Sequence, residues 1–242
     1  MEFNIATELN NNTINGLVDG KYDICILKNV DKDEIKKFGE LVGQDLGKKK
    51  EVGIGNDKAE YNLKYGKNVD IGWHSDSSYV KDTHKFAALY GVEVEQGASS
   101  TYFCNMKSVW RNLPTELKDR IKKEDKTEFS VKNWKDKGNV WPFSSFESEK
   151  QEKIYLRMAR QQKKLYQNDE FGEYLFYSPY YTNIDYINPE DVFKDEYIYE
   201  HKWSTGDLVV WNNMTMSHRR AYADENIVRK LIRYAVNISP AA

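Results

Sequence analysis

At 242 residues the chain is long enough for one domain with a substantial core. Its 38 acids against 36 bases leave a formal net charge of −2, which excludes the basic footprint of a nucleic-acid binder. Hydrophobic residues are 40% of the chain, with 17 Tyr and 6 Trp, so an ordered fold is predicted; no run approaches the roughly 18 apolar residues of a membrane helix.

The first residues, Met1 to Glu8, carry neither the basic region nor the apolar core of a secretion signal. The cytoplasm is therefore the expected compartment, and Cys25 and Cys104, each in a strand-like apolar run, read as buried free thiols. Tyr22 to Val30 is β-branched and apolar, a strand. Asp31 to Glu34 then reads as a capping box, with Ile35, Phe38, Leu41, Val42 and Leu46 at helical spacing behind it. Residues 48–70 are rich in Gly, Lys and Asn and predict a long loop leading to Trp73.

Phe86 to Val94 and Ser100 to Cys104 predict a hairpin around Glu95–Gly97. From Asn105 onward Val109, Leu113, Leu117 and Ile121 recur every four residues, with Pro114 expected to end one helix and start a second. The period is lost from Lys126 to Gln162, where Trp134, Trp141 and Phe143 suggest an insertion, or lid, with its own small apolar anchor. Leu165–Tyr166 and Tyr174 to Tyr181 read as aromatic strands, Asn188 to Asp191 as a turn. Gly206–Asp207 reads as a further turn before the strand Leu208 to Trp211. Many strands with few helices indicate a β-sandwich or jelly roll.

Two motifs carry chemistry. Trp73-His74-Ser75-Asp76 places a His and an Asp two apart, the spacing that projects both from one side of a strand. With the remote His218 these give two imidazoles and a carboxylate, the facial triad of non-haem Fe(II) oxygenases, which leaves positions on the ion open for co-substrate and O2. Behind His218 come Arg229 and Arg233, an even spacing that puts both on one strand face. A planar guanidinium grips a carboxylate through two hydrogen bonds, as a dicarboxylate co-substrate would require. His84 and His201 have no partners in this pattern and read as structural.

On these residues the chain resembles the taurine dioxygenase/TfdA-like branch of the Fe(II)- and 2-oxoglutarate-dependent dioxygenases. The family's W-H-x-D motif stands at 73–76 and its W-D-N-x-x-x-x-H segment at Trp211 to His218; in size and from Gly206 to Arg229 the chain is similar to carbapenem synthases. The resemblance implies a double-stranded β-helix, or jelly roll, with the site at the mouth of the barrel. It implies His74, Asp76 and His218 as catalytic iron ligands. Arg229, helped by Thr101 with Ser100 as runner-up, would bind the distal carboxylate of 2-oxoglutarate. Arg233 would reach the co-substrate or an acid group of the substrate. Asp70, four residues before His74, falls where relatives contact substrate and would suit an amine.

The implied activity is oxidation, foremost hydroxylation, of a C–H bond in a small polar molecule, with amino acids and similar zwitterions as the first class to try. Succinate and CO2 are released; Fe(II), 2-oxoglutarate and O2 are consumed or required. Desaturation, ring closure and epimerisation share the same first step. Asp76 speaks against halogenation, where relatives give up the carboxylate ligand. Two departures concern the packing behind the ligands and substrate choice rather than metal: Asn212 stands for the family's Asp, and Met214 for an Arg.

Other classes fit part of the pattern. A β-barrel hydrolase or isomerase could use the same ligands with Zn2+ or Mn2+, but would have no need of a dicarboxylate clamp. A non-catalytic binding module would be expected to have lost a ligand. The partner expected is a small molecule, with neither nucleic acid nor membrane, and a homo-oligomer is compatible with the sequence.

Overall fold

The structure, a computed structural model, describes residues 3–8, 10–31, 52–54, 71–124, 126–136, 149–221, 224 and 226–236. The helix expected over 31–47, Asp70, Trp141, Phe143 and the side chain of Trp134 lie outside the described residues.

The larger sheet is built from β1 (Ile5–Ala6), β2 (Ile24–Leu27), β3 (Val52–Ile54), β5 (Phe86–Val94), β12 (Leu208–Asn212) and β14 (Arg229–Val236). Its spatial order is β1-β2-β12-β5-β14-β3. A second sheet has the order β11 (Ile198–His201), β6 (Thr101–Asn105), β13 (Met216–Arg220), β4 (Ile71–His74). Two small ribbons pair β7 (Thr127–Ser130) with β8 (Arg160–Lys163), and β9 (Tyr166–Asp169) with β10 (Gly172–Leu175). Pairing is antiparallel throughout, except that β1 runs parallel to β2. Two facing antiparallel sheets with few helices make the jelly roll that the sequence predicts.

The period-two alternation of strands sorts the core into two layers. Ala87 and Leu89 of β5, Val209 and Trp211 of β12, Leu231 of β14, Phe103 of β6 and Met216 of β13 pack between the sheets. The alternate residues Phe86, Ala88, Tyr90, Leu208, Val210, Ile232 and Tyr234 face the other way, into a cluster shared with Leu17, Val109 and Trp110 of the helices. The same alternation fixes the functional faces. Arg229 and Arg233 flank Leu231 at spacings of two, and His218 and Arg220 follow Met216 at spacings of two, so all four enter the space between the sheets.

The helices are α1 (Asn11–Val18), α2 (Met106–Asn112), α3 (Thr115–Lys123), α4 (Val131–Asp136), α5 (Glu149–Met158) and α6 (Pro189–Val192). Asn105 caps α2 by accepting from the N–H groups of Lys107 and Ser108, an arrangement worth about 1 kcal/mol. Pro114 separates α2 from α3 as expected. Gly206 takes φ +82 at the turn before β12, and a Cβ there would meet the Asn29 Cα at 3.2 Å.

Several local expectations are corrected. Phe86–Val94 and Thr101–Asn105 are not a hairpin: β5 pairs with β12 and β14, β6 with β11 and β13. The link through Gly97 instead carries the chain from one sheet to the other. Val52–Ile54, inside the predicted loop, forms a strand on the edge of the larger sheet. Beyond Leu175 the aromatic run Phe176 to Tyr181 leaves the strand and packs as a turn. Asn188 caps a short helix rather than a turn alone. The 126–162 region contributes β7, α4, α5 and β8, and its Val131, Leu156 and Ala159 pack against Tyr79, Tyr180 and Tyr181.

Candidate active site

β4 and β13 are paired with His74 directly opposite His218, so the two imidazoles stand side by side, ring centres 4.2 Å apart. Asp76 lies beyond the end of β4, in a turn rather than on the strand as its spacing suggested. What aims it is Asn213. That fully buried amide accepts from the Asp76 N–H at 2.8 Å and donates to the Asp76 carbonyl at 3.0 Å and the His84 carbonyl at 2.8 Å. Asp76 Oδ1 then sits 3.6 Å from His74 Nε2 and 3.8 Å from His218 Nε2. One ligand atom from each of the three residues falls within 4.8 Å of the others.

Protonation suits the three to a cation. His74 Nδ1 lies 2.7 Å from the Gly72 carbonyl, which can only accept, so Nδ1 donates there and Nε2 is the nitrogen that faces Asp76. Burial, together with the neighbouring His74, pushes the His218 imidazole down to about 3, so it is neutral. Burial alone would raise the Asp76 carboxyl; the Arg233 guanidinium and the bond to His74 outweigh it and hold Asp76 well below the usual carboxylate range. Its Oδ2 is buried with no hydrogen-bond partner, an anionic oxygen whose burial costs several kcal/mol unless a cation meets it. The residues present therefore fit a divalent ion bound by two nitrogens and one carboxylate oxygen.

A second polar group lies further along the same space. Arg229, 4% exposed, reaches from β14 across to β6, where its Nε donates to the Ser99 carbonyl at 2.8 Å and its Nη2 to Thr101 Oγ at 3.0 Å. Among the described residues no carboxylate pairs with it. Burial and the nearby Arg220 push its guanidinium down to about 9. Ser100, the alternative to Thr101, faces outward and donates to Glu200. Arg233 parts company with Arg229: its Nη1 lies 2.9 Å from Asp76 Oδ1, at the metal end. Tyr180 and Tyr181 border His74 at 5.5 and 6.0 Å between ring centres, and Tyr79 packs on Tyr181.

Three residues here escaped the sequence reading. Asn213 and Trp203 gave no signal beyond their motifs. Arg220 did, because it follows His218 by two on a strand and had to share its face. His201 is structural, as expected, bonded to Asp207 at 3.1 Å.

The sequence profile of the taurine catabolism dioxygenase TauD, TfdA family matches residues 2–235, and the chain belongs to that family. Two curated relatives are alpha-ketoglutarate-dependent 2,4-dichlorophenoxyacetate dioxygenases. That of Cupriavidus pinatubonensis is 22% identical over 172 residues, 66% of this chain and 58% of its own. That of a Burkholderia species is 21% identical over 173 residues, 66% of this chain and 56% of its own. The chain thus spans under two thirds of these relatives' length.

Among solved structures, AAD-2 in complex with Mn(II) and N-oxalylglycine superposes with TM-score 0.70 at 20% identity, covering 95% of this chain and 87% of that one. A taurine dioxygenase from Burkholderia xenovorans gives 0.66 at 14% identity, covering 97% and 83%. These are likenesses of fold. No helix of the described residues is long and apolar enough to cross a membrane.

Proposed function

We propose that this chain is an Fe(II)- and 2-oxoglutarate-dependent oxygenase that oxidises, foremost by hydroxylation, a C–H bond of a small polar substrate bearing an acid group. The observation that carries the reading is the buried Arg229–Thr101 pair, which holds a cation with no acid partner among the described residues, beside a three-donor cluster for a metal. A dicarboxylate answers both ends. Thr101 lies two residues along β6 from Phe103, the partner of His218, an offset of about 7 Å that a five-carbon diacid bridges.

His74, Asp76 and His218 would hold the iron, and Arg229 with Thr101 the distal carboxylate. When bound, iron and 2-oxoglutarate supply the activation of O2 that couples decarboxylation to succinate and CO2 with attack on a C–H bond. The chain's own part is orientation and dryness. Asn213 fixes the Asp76 main chain, and the tyrosines beside His74 wall the metal off on that side. We assign the 126–162 insertion, whose Val131, Leu156 and Ala159 pack against those tyrosines, to the cover of the site.

Arg233, at the metal end, suits the acid group of a substrate. The 2,4-dichlorophenoxyacetate and taurine in the relatives' names both carry one, and taurine is a zwitterion. The amine half of that reading rests on Asp70. A cytoplasm that keeps Fe(II) and thiols reduced suits the reaction.

The test is anaerobic titration of Fe(II)-loaded protein with 2-oxoglutarate, followed by visible absorption. A weak charge-transfer band requiring both additives is expected. In Arg229→Ala the band should need roughly ten- to a hundredfold more 2-oxoglutarate, the loss of charged hydrogen bonds worth about 1.5–3 kcal/mol. Folded, metal-loaded protein that shows no band would remove 2-oxoglutarate from the account.

A further inference from the structure

We propose that Trp203 is a positioning residue of the co-substrate pocket: its indole N–H fixes the Thr101 hydroxyl so that the Thr101 proton is presented to the carboxylate held by Arg229. The inference rests on the 2-oxoglutarate reading above and deepens it, because it assigns the pocket's selectivity for a second carboxylate to a residue that touches neither metal nor co-substrate.

The argument is a count of donors and acceptors. Thr101 Oγ lies 2.9 Å from Trp203 Nε1 and 3.0 Å from Arg229 Nη2. An indole N–H and a guanidinium can only donate, while a hydroxyl has two lone pairs and one hydrogen. Both lone pairs of Thr101 are therefore spent. With Cβ and two donors around the oxygen, the hydroxyl hydrogen has one tetrahedral position left.

Thr101 is 2% exposed, and among the described residues nothing accepts that hydrogen. A buried O–H without an acceptor is unfavourable. The ligand that relieves it must bring an acceptor oxygen to a point beside Arg229, and a carboxylate brings two. With the Trp203 bond removed, one lone pair is freed and the hydroxyl can rotate, so the proton is no longer committed to the ligand.

The indole is itself held in place. His201 meets it edge-on, ring centres 4.6 Å apart at 84°. His201 Nε2 is bonded to Asp207 Oδ2, and the same carboxylate oxygen accepts from the Ser204 N–H, the residue next to Trp203. The Arg229 guanidinium lies 5.8 Å from the indole ring centre, within range of cation–π attraction. The chain Asp207–His201–Trp203–Thr101 thus runs from a closed structural cluster to a hydroxyl that remains a donor.

The experiment measures binding to Mn(II)-loaded protein under argon by calorimetry. Its two probes are 2-oxoglutarate and 2-oxopentanoate, which has the same oxo-acid head and no second carboxylate. Trp203→Phe keeps an aromatic ring and deletes the N–H. It should weaken 2-oxoglutarate about five- to tenfold, the scale of one hydrogen bond, and leave 2-oxopentanoate unchanged. In a Thr101→Val background the same substitution should have no further effect on 2-oxoglutarate.

Equal weakening of both probes, or an effect that persists without Thr101, would show general loosening and overturn the proposal. So would 2-oxoglutarate affinity equal to that of the unsubstituted chain, an outcome that leaves the proposed function standing. Failure of the unsubstituted chain to bind 2-oxoglutarate at all would sink both. If Trp203→Phe does not fold, 3-benzothienylalanine at 203 keeps the indole shape, lacks the N–H and is held to the same outcomes.

Discussion

Two buried His–Asp groupings stand among the described residues, and they differ in how far their carboxylates are satisfied. Asp207 Oδ2 takes the His201 ring nitrogen at 3.1 Å, the Lys28 ammonium at 2.7 Å and the Ser204 N–H at 2.9 Å. Burial would raise its carboxyl, but His201 and Lys28 hold it below the usual range. Asp76 has related chemistry around it, two imidazoles where Asp207 has one and again a cationic side chain, yet one of its oxygens is left with no partner. The residue types do not separate the two groupings. Saturation does: a structural cluster spends its hydrogen-bonding capacity internally, and a ligand site keeps some in reserve at a cost in stability.

That contrast can be broken by substitution, and the largest effect should come from the closed cluster. Asp207→Ala leaves the buried His201 nitrogen without an acceptor and takes one from the Ser204 N–H. It should lower folding stability by about 3 kcal/mol in chemical denaturation, with Lys28 adding little because half of its side chain is in water. Mn(II) affinity measured on the folded variant should not change. A loss of metal binding on that scale would mean that the two clusters are coupled.

Next in size is Asn213→Ala, at the open cluster. Here the metal-binding atoms all remain, but the amide that brackets the Asp76 peptide is gone. Outer partners of this kind typically carry ten- to a hundredfold of metal affinity, and calorimetry with Mn(II) should show a loss in that range. Asn213→Asp keeps the acceptor for the Asp76 N–H and loses the donors, so it should fall between. Unaltered affinity in both would show that Asp76 is aimed by its turn alone, in which Ser77 takes φ 56.

The same distinction explains what could be read before the structure. Residue type and spacing single out candidates, so it was legible that His74, Asp76 and His218 would meet, and that Arg229 would share their side of the sheets. The fold class was legible from alternation, since Val209, Trp211 and Leu231 have to share one side. Strand partners were not. Phe86–Val94 and Thr101–Asn105 look like a hairpin locally, and what separates them into two sheets is their pairing with β12, β13 and β14, over a hundred residues downstream. The supports were hidden for the same reason: Asn213 and Trp203 act by where the sheets bring them, 137 and 102 residues from the groups they hold.

The smallest effect concerns Arg233, and it separates two meanings of the ion pair with Asp76. Arg233 Nη1 lies 2.9 Å from Asp76 Oδ1, the oxygen nearest the two imidazole nitrogens, while its own side chain is 29% exposed. If the guanidinium occupies the carboxylate in competition with a cation, Arg233→Ala should tighten Mn(II) binding in the absence of co-substrate. The gain should be only about two- to fivefold, because a partly exposed ion pair is worth about 0–1 kcal/mol. The same variant should weaken binding of an acid-bearing substrate, whose group would lose its counter-charge. Weaker rather than tighter metal binding would assign Arg233 to aiming Asp76, alongside Asn213, and would remove the competition between guanidinium and cation.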